Sequence, residues 1–83
     1  MYPLLDLSTI QTFLPKIKDL GVSIVARSTS GFLPAFKRYG KNLPKEWVIK
    51  RENFIKRHLV QYKKNPTLRR RLALITWAFD PDK

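Results

Sequence analysis

The sequence predicts an all-α fold: a small single-domain bundle of three to five helices over residues 1–83. A chain of 83 residues is the size of one domain. Apolar side chains recur at helical spacing in its second half, and proline and glycine residues fall where these segments end. We expect a long helix over about residues 44–64 to pack on a C-terminal helix over about residues 66–79.

The C-terminal helix is predicted from an apolar face that continues to the end of the segment. Asn65 is the expected N-cap and Pro66 the first helical residue. The expected buried side consists of Leu68, Leu72, Ile75 and Phe79.

The N-terminal segment begins like a helix, with Asp6 or Ser8 as cap. Its apolar residues have helical spacing: Ile10, Phe13, Leu14 and Ile17. Pro15 predicts either a break or kink near Leu14 or a helix that begins at Pro15, because a mid-helix proline costs about 3 kcal/mol. Residues 1–15 are therefore a candidate semi-independent segment, and Gly21 is the expected left-handed residue after the helix.

The turn around Gly21 is similar to the turn of a helix-turn-helix. The register argues against that motif, because the later positions that would pack the recognition helix are Arg27 and Ser30, both polar. A short helix or an extended connector ending in residues 28–31 is the alternative that we favour.

Two further helices follow. A short one is predicted over residues 32–39, with one apolar face formed by Phe32, Ala35, Phe36 and Tyr39. The long one has Asn42 as expected N-cap and Pro44 in its first turn. Its apolar stripe consists of Trp47, Phe54, Ile55, His58, Leu59 and Tyr62.

The charge indicates the kind of partner. The chain carries 17 Lys and Arg against 6 Asp and Glu, a net charge of +11, so an anionic partner is expected, nucleic acid being the commonest. The absence of cysteine, of a long apolar run and of a basic leader favours an intracellular, cytoplasmic protein. A membrane-surface role is disfavoured, because the apolar residues are needed for the core.

Three consecutive arginines, Arg69 to Arg71, begin the C-terminal helix. Cations in the first turn oppose the helix dipole, so local stability does not explain them, whereas a bound phosphate does. The alternative is a solvated face, with one arginine pairing with Asp80, Asp82 or a glutamate.

No residues form a convincing catalytic or metal site. His58 is the only histidine and is expected to be a packed, hydrogen-bonded side chain, and the six acids do not form a catalytic pair. The three glycines are isolated, so no phosphate-binding glycine loop is present. We therefore expect a protein that is not an enzyme and needs no cofactor.

Three stretches carry a resemblance: residues 30–38, residues 50–59 and residues 66–79, which ends in Leu-Ala-Leu-Ile-Thr-Trp-Ala-Phe. Across residues 22–81 the chain resembles small basic hypothetical proteins of bacteriophages and marine microbes. No activity is known for that group. The resemblance implies a context: an early protein acting on nucleic acid or host machinery, or a small virion component.

The function expected from the residues is non-catalytic nucleic-acid binding through phosphates, to DNA or RNA. The rival is a small structural or regulatory subunit that docks on an acidic protein or a larger assembly, with residues 2–13 as contact. The oligomeric state is left open. The predicted phosphate-binding surface consists of Lys56, Arg57, Lys63, Lys64, Arg69, Arg70, Arg71, Lys37 and Arg38, which Lys41, Lys50 and Arg51 would extend.

Overall fold

The computed structural model describes residues 2–83, which form five α-helices and contain no β-strand. These helices are α1 (Leu7–Asp19), α2 (Ile24–Arg27), α3 (Phe32–Tyr39), α4 (Lys45–Lys64) and α5 (Leu68–Thr76). α1 and α4 both pack against α5, α2 packs on α3, and α3 packs on α4. The all-α bundle, with its long helix on the C-terminal helix, is confirmed.

Helix α1 runs without interruption through Pro15, so a break there and a helix that begins at Pro15 are both wrong. Ile10 and Ile17, before and after the proline, are both completely buried. Burying an isoleucine side chain is worth about 2 kcal/mol, so the pair outweighs the roughly 3 kcal/mol that a mid-helix proline costs. The helix ends as expected, with Gly21 at a φ of +64°.

Helix α2 is a single turn, which agrees with the predicted short helix and leaves no room for a recognition helix. Helix α3 has the predicted bounds. Its buried face includes Leu33, whereas Tyr39, expected to be buried, is 41% exposed. Tyr39 lies in the last turn of α3, where Phe36, one turn earlier, is the buried side chain.

Helix α4 has nearly the predicted bounds, but Pro44 is its N-cap instead of Asn42. Ile55 is its fully buried aliphatic residue, and the rest of the predicted stripe is half-buried.

Helix α5 is shorter than predicted at both ends. Asn65 is the C-cap of α4, so Thr67 caps α5 instead, and its hydroxyl accepts a hydrogen bond from the backbone N–H of Arg70 at 3.1 Å. The helix ends at Thr76 because Ala78 has a φ of +62°. Leu68 is 48% exposed, so its predicted burial is wrong.

The core joins all the long elements. One cluster of buried residues includes Ile10 from α1, Phe32 and Phe36 from α3, and Ala78. A second cluster consists of Ile17, Val22, Leu72 and Ile75. The Trp77 ring lies between those of Phe32 and Phe54, at centroid distances of 4.8 and 4.6 Å. This aromatic stack connects α3 to α4 through the end of α5.

Arg51 of α4 is 1% exposed and satisfies backbone carbonyls at both ends of the chain. Its guanidinium donates to the carbonyl oxygens of Tyr2 at 2.9 Å and Pro3 at 2.7 Å, and to those of Trp77 and Ala78, both at 2.8 Å. Burial lowers the pKa of Arg51, an effect that the charge of Glu52 opposes. The expectation that Arg51 extends a cationic surface is therefore wrong.

We expect Arg51→Lys to lower the free energy of unfolding by about 3 kcal/mol or more, because an ammonium cannot reach four carbonyls and unpaired buried groups cost about 1–3 kcal/mol each. Urea denaturation followed by circular dichroism measures the loss. Lys50→Met, a substitution of the exposed neighbour, is the control. A loss below about 1 kcal/mol for Arg51→Lys would contradict this role.

Gly31 lets the chain between α2 and α3 pass close to the α2 backbone. A Cβ atom at this residue would overlap the carbonyl oxygens of Val25 and Ala26, which cannot move without distorting α2. We expect Gly31→Ala to reduce stability by about 2 kcal/mol. Thermal denaturation should show this loss for Gly31→Ala and almost none for Ser30→Ala, at the exposed position beside it.

Candidate nucleic-acid interface

The second half of α4 carries four exposed cations, which we call the α4 basic surface: Lys56, Arg57, Lys63 and Lys64. Residues seven apart lie on the same side of a helix, about 10 Å apart along the axis. Lys56 and Lys63 therefore form one row, and Arg57 and Lys64 a neighbouring row. Within residues 2–83 none of the four takes part in an ion pair.

Two of the three consecutive arginines are held by the C-terminal ends of other helices. Arg69 donates to the carbonyl of Leu20, the C-cap of α1, at 2.7 Å. Arg70 donates to the carbonyl of Asn65, the C-cap of α4, at 3.1 Å. The negative ends of two helix dipoles thus compensate cations that oppose the dipole of α5. The structure thus supplies partners within the fold for two of the arginines, while phosphate contact by the arginine run stays a prediction.

The third arginine, Arg71, pairs with acids of the C-terminal tail. Its guanidinium contacts Asp80 at 3.1 Å and Asp82 at 3.2 Å, and lies 5.4 Å from the ring centroid of Phe13. This is the pairing that the sequence left open as the alternative to phosphate binding. The hydrogen bond to Asp80 raises the pKa of Arg71, and the positive charge of Arg71 is compensated within the chain.

Asp80 is 6% exposed, and burial by itself would raise its pKa. The hydrogen bond from Arg71, the backbone N–H of Asp82 and the charges of Arg71 and Lys83 outweigh burial and lower the pKa of Asp80 below 3.8. Asp80 is therefore a structural carboxylate that fixes the tail to α5.

Lys37 and Arg38 lie away from Lys63 and Lys64, the last residues of the α4 basic surface. Both are exposed in the last turn of α3, and Arg38 borders a small cleft together with Trp47 near the start of α4. Seventeen residues separate Trp47 from Lys64, which is about 25 Å along the helix. The structure therefore places these two predicted site residues near the opposite end of α4 from Lys63 and Lys64.

His58 has the structural role that the sequence predicts. Its Nδ1–H donates to the carbonyl of Phe54 at 2.9 Å, and its ring stacks on that of Phe54 at 3.8 Å. Among residues 2–83, no group of three or more His, Cys, Asp and Glu side chains is arranged to hold a metal ion.

The exposed apolar residues are not those on which the rival docking function was based. Ile10 is completely buried, and Leu4, Leu5 and Phe13 are half-buried. Ile24 and Val25 on α2 are instead 67% and 80% exposed. The sequence signal for them is a run of apolar residues on a helix too short to bury every side.

The chain matches no protein-family model, and comparison with curated proteins and with solved structures returned no match. The resemblance to small basic bacteriophage and marine microbial proteins therefore stays a prediction. Among residues 2–83, none of the helices has the length and apolar character that crossing a bilayer requires.

Asp80 predicts a dependence of stability on pH. Because its pKa is lower in the folded chain, the ionised carboxylate stabilises the fold above the usual pKa near 3.8, and this contribution is lost as the pH falls through the lower folded value. We expect the stability difference between wild type and Asp80→Asn to be largest above about pH 5 and to shrink on acidification. Urea denaturation across this range measures it, and a difference independent of pH would contradict the assignment.

Proposed function

We propose that this protein binds nucleic acid without catalysis, through phosphate contacts made by the α4 basic surface. The observation that supports the proposal is that Lys56, Arg57, Lys63 and Lys64 are exposed, unpaired within residues 2–83, and arranged in two rows on one rigid helix. Unpaired cations that repel one another cost stability, and a phosphate backbone relieves that repulsion.

Arg70 extends the α4 basic surface at the helix end, since its guanidinium already contacts the C-cap carbonyl next to Lys64. The bond through its Nη1 leaves other N–H groups of the guanidinium available for a phosphate oxygen. The guanidinium of Arg69 is likewise fixed by one hydrogen bond, which it donates to the carbonyl of Leu20. Arg71 makes a weak contribution in this proposal, because two carboxylates compensate its charge.

Contacts of this kind give affinity without base preference. Cations on one helix match phosphate charge along a backbone, whereas reading a sequence needs side chains that reach base edges. We therefore propose binding with little sequence preference, in which Lys37 and Arg38 are a second, separate contact for longer nucleic acids.

The test is the affinity of the protein for duplex DNA and for single-stranded RNA, measured by fluorescence anisotropy between about 50 and 200 mM salt. The variant replaces all four residues of the α4 basic surface with glutamine. Losing four phosphate contacts should flatten the slope of log affinity against log salt by about 3 to 4. We expect the affinity at low salt to fall at least about tenfold.

The matched control removes the same number of charges elsewhere, with Lys16, Lys18, Lys45 and Lys83 changed to glutamine, all of them exposed. We expect this control to keep most of the affinity and of the salt slope. If both quadruple variants lose affinity equally, the α4 basic surface is not the contact. If the wild type binds neither nucleic acid at low salt, the proposed function is wrong.

A further inference from the structure

Helix α2 presents the two most exposed large apolar side chains that the structure describes, Ile24 and Val25, side by side. Single exposed aliphatic residues are common, but neighbouring ones beside a groove mark contact surfaces. The next in exposure, Val60 and Ile49, lie on the outer side of α4 among charged residues. The pair on α2 is different because it borders an apolar depression.

That depression is a groove of about 370 Å³ between α2 and the α4–α5 pair. Phe54 and Trp77 form its aromatic side, and their rings stack at 4.6 Å, so this side is held in place by core packing. Gly21 contributes backbone without a side chain, and a Cβ there would have no atom within 4 Å. The groove is therefore open and largely apolar, with one rigid wall.

At Ser23 the apolar groove meets a cationic cleft of about 490 Å³. The cleft is lined by Val22, Ser23, His58, Thr67, Arg69, Arg70 and Ala73. Arg69 and Arg70 are each fixed by one hydrogen bond to a backbone carbonyl, so their remaining N–H groups are positioned in advance for a carboxylate. Apolar and cationic surface thus lie end to end.

We propose that this combined surface, the α2 groove and the Arg69–Arg70 cleft, docks an acidic amphipathic helical segment of a partner protein. Apolar side chains of the segment fill the groove beside Ile24 and Val25 at spacings of three and four residues. Its Asp or Glu residues meet Arg69 and Arg70 in the cleft. The site shares Arg69 and Arg70 with the proposed nucleic-acid contact, but none of the four residues of the α4 basic surface lines it.

The charges argue for this occupant over the others. A second copy of the chain also carries +11, so self-association opposes strong repulsion. Nucleic acid satisfies the arginines but leaves Ile24, Val25 and the groove without apolar contacts. A membrane surface could cover the exposed Ile24 and Val25 but would leave the concave groove beside them unfilled, whereas side chains of a partner segment fill it.

The experiment selects binders from a displayed library of random peptides of about 16 residues, long enough for roughly four helical turns. Selection takes place at about 0.15 M salt, where screening weakens purely electrostatic binding. We expect the enriched sequences to share apolar residues at helical spacing and acidic residues toward one end. The affinity of the best peptide is then measured by fluorescence anisotropy.

Two double variants test the location. Ile24→Ser with Val25→Ser should weaken the best peptide at least about tenfold, as expected for a contact centre. Ile49→Ser with Val60→Ser removes the next most exposed aliphatic residues, both on α4, and should change the affinity less than about twofold. Circular dichroism checks that both remain folded. The glutamine variant of the α4 basic surface should keep peptide binding, which separates this proposal from the nucleic-acid function.

The proposal is overturned if no peptide is enriched, if the enriched peptides are acidic but lack apolar anchors, or if the α2 variant binds as tightly as the wild type. Binding to phosphatidylserine vesicles that the α2 variant loses, without peptide enrichment, would identify a membrane contact instead. A dimer in analytical ultracentrifugation that the same variant abolishes would identify a second copy as the occupant.

Discussion

The fold depends on the burial of one guanidinium. Arg51 is 1% exposed and donates to four backbone carbonyls, two near the N-terminus and two at the end of α5. An unpaired charge in this position would cost several kcal/mol. Because the four acceptors come from chain segments 26 to 49 residues away, the charge is satisfied only when both ends of the chain are docked on α4. This makes the docking of the two ends cooperative.

Arg51 also positions the surface that we assign to a partner. Its bond to the carbonyl of Trp77 fixes the end of α5, where the indole stacks between Phe32 and Phe54. The same indole borders the α2 groove. Trp77 therefore connects the buried Arg51 to the aromatic stack and to the exposed groove. A change at Arg51 is expected to alter the shape of the groove as well as the stability of the fold.

Local periodicity predicted the helices well, because it reports which side of a helix is apolar. It identified α3 and nearly all of α4, and the Gly21 turn followed from the left-handed conformation that glycine permits. It missed Arg51, whose acceptors are distant in sequence, so that a local pattern places this residue among the surface cations. It also missed the end of α5, because Ala78 takes up a left-handed conformation that is usually occupied by glycine or asparagine.

The arginine run shows why charge density in a sequence overstates a binding site. Successive residues on a helix point about 100° apart, so Arg69, Arg70 and Arg71 reach the end of α1, the end of α4 and the acidic tail respectively. Each has a structural partner, which no count of positive charges reveals. The cations of α4 are less concentrated in sequence, yet within residues 2–83 they have no acidic partner. Arg71, whose charge two carboxylates compensate, is therefore the least available of the three to an anionic ligand, whereas Arg69 and Arg70 keep N–H groups beyond the one bonded to a carbonyl.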